Sequence, residues 1–133
     1  MVVTKSHRKN SLFGILAALC VFSSAYTWSA APACEGSFCR YTGKVDRCYV
    51  NEDGFILLYF DTPADISDAQ GVGFTITETA GAIYKYKDGL NDKFGDYFYS
   101  TCLTALSSNK TVTVFMDGTE KNYLKADRIW ILD

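Results

Sequence analysis

Histidine is almost absent from this sequence, which contains only His7 in 133 residues. His7 lies in a leader that we expect to be removed, so the rest of the chain has no imidazole. Without imidazole the chain cannot form a Ser-His-Asp or Cys-His catalytic site, or the usual histidine metal site. We therefore predict that the protein is not an enzyme and that it has no cofactor and no metal site.

Positive charge is also scarce. The sequence has 13 Lys and Arg against 15 Asp and Glu. Three of the cations, Lys5, Arg8 and Lys9, belong to the leader, which leaves ten cations and a net charge of −5 in the rest of the chain. Nucleic acids and anionic membrane surfaces bind basic surfaces. The charge therefore predicts that neither is a partner.

The first 25 residues have the pattern of a secretory signal peptide. Cations precede an uncharged run from Leu12 to Phe22, and small residues follow at Ser23 and Ala25. Small residues recur as far as Ala33, so cleavage is expected between residues 25 and 33. The uncharged run is shorter than the roughly 20 residues that span a bilayer. We predict a signal peptide at 1–25, a single domain at 26–133 and no membrane insertion.

Four cysteines follow the leader: Cys34, Cys39, Cys48 and Cys102. An even number of cysteines in a small exported domain indicates two disulfides, and the sequence leaves all three pairings open. A zinc site is less favoured, because no second closely spaced pair accompanies Cys34 and Cys39. Disulfides place the protein in a secreted or periplasmic location.

The hydrophobic pattern predicts a mainly β fold with one helix. Phe94, Phe98, Cys102 and Ala105 recur at helical spacing, and Asn91 or Asp92 can cap the helix. Turns are indicated at 51–54 and at Asp117-Gly118, and a surface loop at 61–71. The expected elements are strands at 40–50, 55–60, 111–116 and 123–132 and a helix between 91 and 109. The third strand is expected at 74–77 and 83–87, either as one bent strand or as two short strands.

This order, three strands, a helix and two strands, is that of a five-stranded OB-fold barrel, in which the helix lies between the third and fourth strands. A generic α+β sandwich is the competing architecture. The strand from Phe55 to Phe60 is apolar on both faces, and Tyr99, Leu103 and Leu106 add a second apolar stripe to the helix. This surplus of apolar surface predicts a homo-oligomer.

The tyrosines suggest a binding role, because an aromatic face stacks on the apolar side of a sugar. Tyr84 and Tyr86 alternate with Lys85 and Lys87, so both tyrosines lie on one face of a strand. Packing of a half-buried strand is the alternative interpretation of this pattern, and the sequence favours it.

Two segments resemble a known family. Tyr41-Thr42-Gly43-Lys44-Val45 is similar to the opening of the first strand in the B subunits of pentameric AB-type bacterial toxins of the subtilase-cytotoxin and pertussis-like group. The segment from Leu103 to Val114 is similar to the end of their helix and the strand that follows. The resemblance implies an OB-fold, a pentamer and a toxin A subunit as partner. It also implies that Thr42 contacts a sugar and that Tyr41 lies beside it.

From these observations we expect an exported non-catalytic binding module that holds a glycan or glycoconjugate. The candidate ligand-binding residues are Tyr41, Thr42, Tyr84 and Tyr86. A periplasmic OB-fold protein that binds or inhibits another protein is the alternative.

Overall fold

The computed structural model describes residues 30–87 and 92–133. The predicted signal peptide and Asn91 lie outside these residues. The described part is mainly β, with six strands and two helices. The elements are β1 (Ala30–Glu35), β2 (Phe38–Val50), β3 (Phe55–Phe60), α1 (Ile66–Gly71), β4 (Gly81–Lys85), α2 (Lys93–Ser107), β5 (Thr111–Glu120) and β6 (Tyr123–Leu132).

All six strands belong to one sheet in the order β1-β2-β3-β4-β6-β5. The long strand β2 also pairs with β5, so the chain of pairings returns to β2. The β4–β6 pairing is parallel and the others are antiparallel. Parallel pairing joins β4 and β6 only at Ala82↔Leu124 and Ile83↔Lys125. Beyond Ile83 the two strands are no longer paired, and one of the surface depressions described below lies there.

The β2–β3 hairpin is confirmed. Its turn is closed by the Asn51 side chain, whose Oδ1 accepts the Phe55 N–H at 3.0 Å. Gly54 has a φ of +78°, which favours glycine at this position. The last strand, predicted at 123–132, is also confirmed.

The main helix is confirmed as well. Asp92 caps α2 through a 3.1 Å hydrogen bond from the Gly95 N–H. The buried side of α2 carries Phe98, Cys102 and Ala105, as the periodicity predicts. The second predicted stripe is largely outside the core, because Leu103 and Leu106 are 42% and 40% exposed.

Four local predictions were wrong. Strand β1 was missed because it is an alanine-rich edge strand with a proline, a composition with little strand propensity. The predicted loop at 61–71 contains α1, which Asp65 caps by accepting the Ser67 N–H at 2.7 Å. The segment 74–77 is not a strand, although Ile76 is buried. The predicted turn at Asp117-Gly118 lies within β5.

The turn between β5 and β6 is formed instead by Lys121 and Asn122. Both have positive φ, 49° and 67°, as a two-residue hairpin turn of type I′ requires. Lysine is not a usual residue for this conformation, whereas Asp-Gly is the commonest signal for it, so the sequence pointed to the wrong pair.

Two disulfides are confirmed, and the structure resolves their pairing. Cys34–Cys39 closes the β1–β2 hairpin, and Cys48–Cys102 joins β2 to α2. Both bridges indicate an oxidising extracellular or periplasmic setting. Among the residues described, no helix is long and apolar enough to cross a membrane.

The core lies between the inner face of the sheet and α2. Tyr41, Leu58, Phe98, Val114 and Leu124 are completely buried in it. A smaller cluster on the other face of β3 and β4 contains Phe55, Leu57 and Ile83. That second cluster forms the floor of the candidate site.

Candidate ligand-binding site

The outward face of β3 is covered in part by the chain itself. Phe55, Leu57 and Ile83 are at most 7% exposed, and the half-buried rings of Tyr59 and Tyr123 pack against them. The two-faced pattern of β3 was interpreted from the sequence as a surface for self-association. In the structure, a single copy already removes most of these three side chains from water.

A depression of about 340 Å³ lies over this cluster, and we call it the aromatic groove. Its volume falls within the range of about 300–1,000 Å³ that is usual for small-molecule sites. Its floor is apolar and aromatic, and its rim carries amide, carboxylate, hydroxyl and ammonium groups. The lining residues are Tyr49, Asn51, Asp53, Phe55, Leu57, Tyr59, Ile83, Lys121 and Tyr123.

Two hairpin turns bound the aromatic groove. Asn51 and Asp53 belong to the β2–β3 turn, and Lys121 belongs to the β5–β6 turn. The Asn51 side chain is held by its bond to the Phe55 N–H, and the positive φ of Lys121 fixes the course of the backbone there. The polar residues of the rim therefore lie on two short, ordered turns, as a preformed site requires.

Cations lie over the aromatic rings of the groove. The Arg47 guanidinium carbon is 4.2 Å from the centroid of the Tyr59 ring. The Lys85 and Lys121 ammonium groups are 5.3 Å and 5.4 Å from the centroid of the Phe55 ring. These distances lie within the roughly 6 Å limit of cation–π attraction. The aromatic floor of the groove is thus bordered by three cations, and Asp53 adds a carboxylate to the rim.

The Tyr123 hydroxyl at the groove is protonated at neutral pH. Burial raises the pKa of Tyr123 to about 12, and its interactions with the Tyr59 hydroxyl and with Glu78 act in the same direction. A protonated phenol is both a hydrogen-bond donor and an acceptor. The Tyr123 hydroxyl can therefore donate a hydrogen bond to a ligand hydroxyl group or accept one from it.

A second depression, of about 400 Å³, adjoins the groove, and we call it the lysine cleft. It lies beside β4 and the β5–β6 hairpin, where β4 no longer pairs with β6. Its lining residues are Tyr84, Lys85, Tyr86, Lys87, Glu120 and Lys125. Lys85 belongs to both depressions, since it lines the cleft and its ammonium group lies over Phe55 in the groove.

Asp92 organises one end of the lysine cleft. Its carboxylate accepts the Tyr84 hydroxyl at 2.9 Å and 3.0 Å and the Lys87 N–H at 2.9 Å, in addition to the capping bond from Gly95. Burial acts to raise the pKa of Asp92, but these hydrogen bonds outweigh it and hold the pKa below its usual value. Burial, together with the bonded carboxylate, raises the pKa of Tyr84 to about 12.

Gly95 allows Tyr86 to line the cleft. A Cβ at Gly95 would lie 2.6 Å from Cδ2 of Tyr86, so only glycine lets this ring pack against the first turn of α2. The structure shows the reason for a glycine at this position.

Of the four residues predicted to bind ligand, Tyr84 and Tyr86 both line the lysine cleft, whereas Tyr41 and Thr42 lie elsewhere. Tyr41 and Tyr84 are buried in the main core, where the Tyr41 hydroxyl donates to the Lys44 carbonyl and contacts Asp61. Tyr86 lines the lysine cleft. Thr42 is exposed on the β2–β5 side, with its hydroxyl 3.0 Å from that of Thr113.

Thr42 lies near a different aromatic surface. Thr42 pairs with Thr113, which pairs with Trp130 across β5 and β6. Beside this row the Phe115 ring stacks on Trp130, with centroids 5.5 Å apart, and is tilted against Phe38, with centroids 5.2 Å apart. None of these residues lines the aromatic groove or the lysine cleft.

The residues of the aromatic groove were missed by the sequence reasoning. A signal was present, because Phe55, Leu57 and Tyr59 alternate on the outward face of β3 and a cationic residue, Lys85, pairs with Phe55 across the sheet. The contribution of Tyr123 had no signal, since only the parallel β4–β6 pairing brings it to the groove.

In the part of the chain that the structure describes, no group of three or more His, Cys, Asp or Glu side chains is placed to hold a metal ion. No protein-family model matches this chain, and neither the curated proteins nor the solved structures contain a match.

Proposed function

We propose that the sheet is an OB-type barrel and that the protein is an exported, non-catalytic module that binds a glycan in the aromatic groove. The order of pairing supports the barrel, since β2, β3, β4, β6 and β5 pair in turn and β5 pairs again with β2. The position of α2 also supports it, because in chain order α2 lies between β4 and β5, the third and fourth of these five strands.

The observation that carries the binding proposal is the location of the groove. OB-folds bind oligosaccharides and oligonucleotides on the face of their second and third strands, between the first and the last hairpin loops. In this chain those elements are β3, β4 and the turns at 51–54 and 121–122, which are the elements that form the aromatic groove. The net charge of −5 favours a glycan over a nucleic acid.

The groove has the two kinds of contact that a sugar needs. The half-buried ring of Tyr59 offers apolar surface for the C–H face of a pyranose, and Asn51, Asp53 and Tyr123 offer donors and acceptors for its hydroxyl groups. Binding of this kind uses ring faces and hydrogen bonds, and it needs no catalytic group.

A glycan array followed by titration calorimetry tests this proposal. We expect the folded protein to bind at least one glycan, and Tyr59→Ala to weaken binding about tenfold, as loss of a stacking contact of ~1.4 kcal/mol would. Trp130→Ala is the matched control, because Trp130 is an exposed aromatic residue outside the groove. Absence of any glycan hit, or equal losses in the two variants, would contradict the proposal.

A second candidate function rests on the exposed side of α2. Leu103 and Leu106 are neighbours on the helix surface, three residues apart, and they are 42% and 40% exposed. This surface supports binding to another protein, either a copy of the chain, as in the pentameric toxin B subunits that the sequence resembles, or an A subunit or other envelope protein. Light scattering behind size-exclusion chromatography distinguishes these, since a homo-oligomer of the purified chain has a multiple of the monomer mass.

A further inference from the structure

Glu78 lies beside the aromatic groove, in the segment that leads into β4. Its N–H and that of the residue before it both donate to the Asn122 carbonyl at 3.1 Å, so the backbone is tied to the β5–β6 turn. Two residues later, the Ala80 carbonyl accepts the Phe60 N–H at 2.8 Å, which ties the same segment to the end of β3. The backbone around Glu78 is thus fixed on both sides.

This position brings the Glu78 carboxylate to the two half-buried tyrosines of the groove. The Tyr123 hydroxyl makes side-chain hydrogen bonds with Glu78 and with Tyr59. Tyr123 follows Asn122, the residue that holds the Glu78 backbone. Tyr59 pairs with Gly81, which is three residues after Glu78. Backbone pairing and side-chain contact therefore connect the same three residues.

The protons of these three groups determine what the groove offers to a ligand. A phenol has one proton to donate and can also accept, whereas a carboxylate at neutral pH only accepts. A hydrogen bond to a charged acceptor is stronger than one to a neutral hydroxyl, so the Tyr123 proton is donated to Glu78. The Tyr59 hydroxyl then donates its own proton to the Tyr123 oxygen. Both protons are used within this chain of groups, and the two phenols present only oxygen lone pairs to the groove.

The two phenols are held in this arrangement by their surroundings. Both rings pack against the apolar cluster below the groove, and the Arg47 guanidinium carbon lies 4.2 Å from the centroid of the Tyr59 ring. Asp53 adds a further acceptor from the β2–β3 turn. The rim of the groove therefore carries a fixed set of hydrogen-bond acceptors.

We infer that Glu78 is a positioning residue of the aromatic groove, which by accepting the Tyr123 proton makes the groove select glycans that donate a hydroxyl hydrogen to the Tyr59 and Tyr123 oxygens. This inference rests on the proposed function and specifies what its ligand must offer. A sugar position without a hydroxyl hydrogen would face these lone pairs and leave them unbonded. A site built to bond a hydroxyl group rejects an analogue that lacks it.

The test replaces hydroxyl groups by fluorine, which is similar in size to a hydroxyl and has no hydrogen to donate. The probes are the tightest-binding glycan of the array and its analogues with a single fluorine in place of one hydroxyl. In calorimetry we expect the wild type to bind at least one analogue about tenfold more weakly than the parent glycan. Glu78→Ala frees the Tyr123 proton for the glycan, so the loss at that position should shrink to about twofold.

Glu35→Ala is the matched control, because Glu35 is an exposed glutamate outside the aromatic groove. It should keep the wild-type discrimination between the parent glycan and its analogues. Equal affinity of the wild type for the parent and every analogue would overturn the inference and leave the proposed function intact. Unchanged discrimination in Glu78→Ala, or an equal decrease in Glu35→Ala, would overturn it as well.

A second measurement needs no glycan. In NMR spectra with isotope-labelled tyrosine, Tyr123 should ionise at a lower pH in Glu78→Ala than in the wild type, where its pKa is about 12. Glu35→Ala should leave this ionisation unchanged. The same ionisation in Glu78→Ala and in the wild type would overturn the inference, because Glu78 would then not hold the Tyr123 proton. If no glycan on the array binds, the proposed function itself fails, and this titration separates that failure from a failure of the contact between Glu78 and Tyr123.

Discussion

The two disulfides should contribute unequally to stability, and the structure gives a matched comparison between them. Each bridge joins one completely buried cysteine, Cys39 or Cys102, to one half-buried cysteine, Cys34 or Cys48. Replacing either pair by alanine therefore removes similar amounts of buried sulfur. The bridges differ in the chain that they close, because their cysteines are 5 and 54 residues apart.

The difference in loop length sets the expected magnitudes. A cross-link lowers the entropy of the unfolded chain by an amount that grows with the logarithm of the loop it closes. For separations of 5 and 54 residues this gives about 2 kcal/mol and about 4 kcal/mol at 25 °C. Loss of the longer bridge is serious in a domain whose total stability is of the order of 5–15 kcal/mol.

Denaturant unfolding of the double variants C34A/C39A and C48A/C102A tests this ranking. We expect the free energy of unfolding to fall further in C48A/C102A by about 2 kcal/mol, and its midpoint temperature to be lower by about 8–16 °C. Thiol titration of the unfolded, unreduced wild type should find no free thiol among these four cysteines. Equal losses, or a larger loss in C34A/C39A, would refute the assignment of the stabilisation to loop closure.

Three other predictions concern the elements that shape the lysine cleft. Asp92→Asn should lower the free energy of unfolding by about 1–2 kcal/mol at pH 7. Because the pKa of Asp92 is lowered from 3.8 on folding, the difference in unfolding free energy between the wild type and Asp92→Asn should shrink as the pH falls below 3.8. A difference that stays constant in acid unfolding curves would contradict this expectation. Tyr84 binds its proton more tightly in the folded state, so wild-type stability should fall as the pH rises from about 10 to about 12. Tyr84→Phe should flatten that alkaline decrease in a pH series of thermal melts, and an unchanged slope would count against it. Gly81→Ala should cost about 2–3 kcal/mol in urea unfolding, because its Cβ would lie 2.1 Å from the Leu58 carbonyl oxygen, whereas Gly71→Ala meets nothing within 4 Å and should be neutral.

The elements with a strong local signal were predictable from the sequence. The β2–β3 hairpin follows from Asn51 and Gly54, and α2 follows from its helical periodicity and from the cap at Asp92. Strand β1 carries no such signal, because its position depends on pairing with β2 and on the Cys34–Cys39 bridge rather than on its own residues. The choice among three disulfide pairings likewise depends on which elements the fold brings together.

The predicted ligand residues show a second limit. In the sequence, Tyr41 and Tyr84 cannot be distinguished from Tyr59 and Tyr123, since all four are tyrosines in strands. Alternation cannot decide which face of a strand meets the core when both faces are apolar or aromatic. The structure buries Tyr41 and Tyr84 inside and leaves Tyr59 and Tyr123 at the outer groove.

The outward apolar face of β3 has two possible uses, contact with another copy and contact with a ligand, and the composition around it favours the ligand. Lysine is depleted in the centres of protein–protein interfaces. Here Lys85 and Lys121 lie over the Phe55 ring at the centre of the apolar cluster, and Arg47 lies over Tyr59. A second copy covering this face would remove these cations from water, at a cost that nearby carboxylates would have to offset. A bound glycan would leave these cations partly hydrated, so contact with a ligand suits this face better than contact with a second copy.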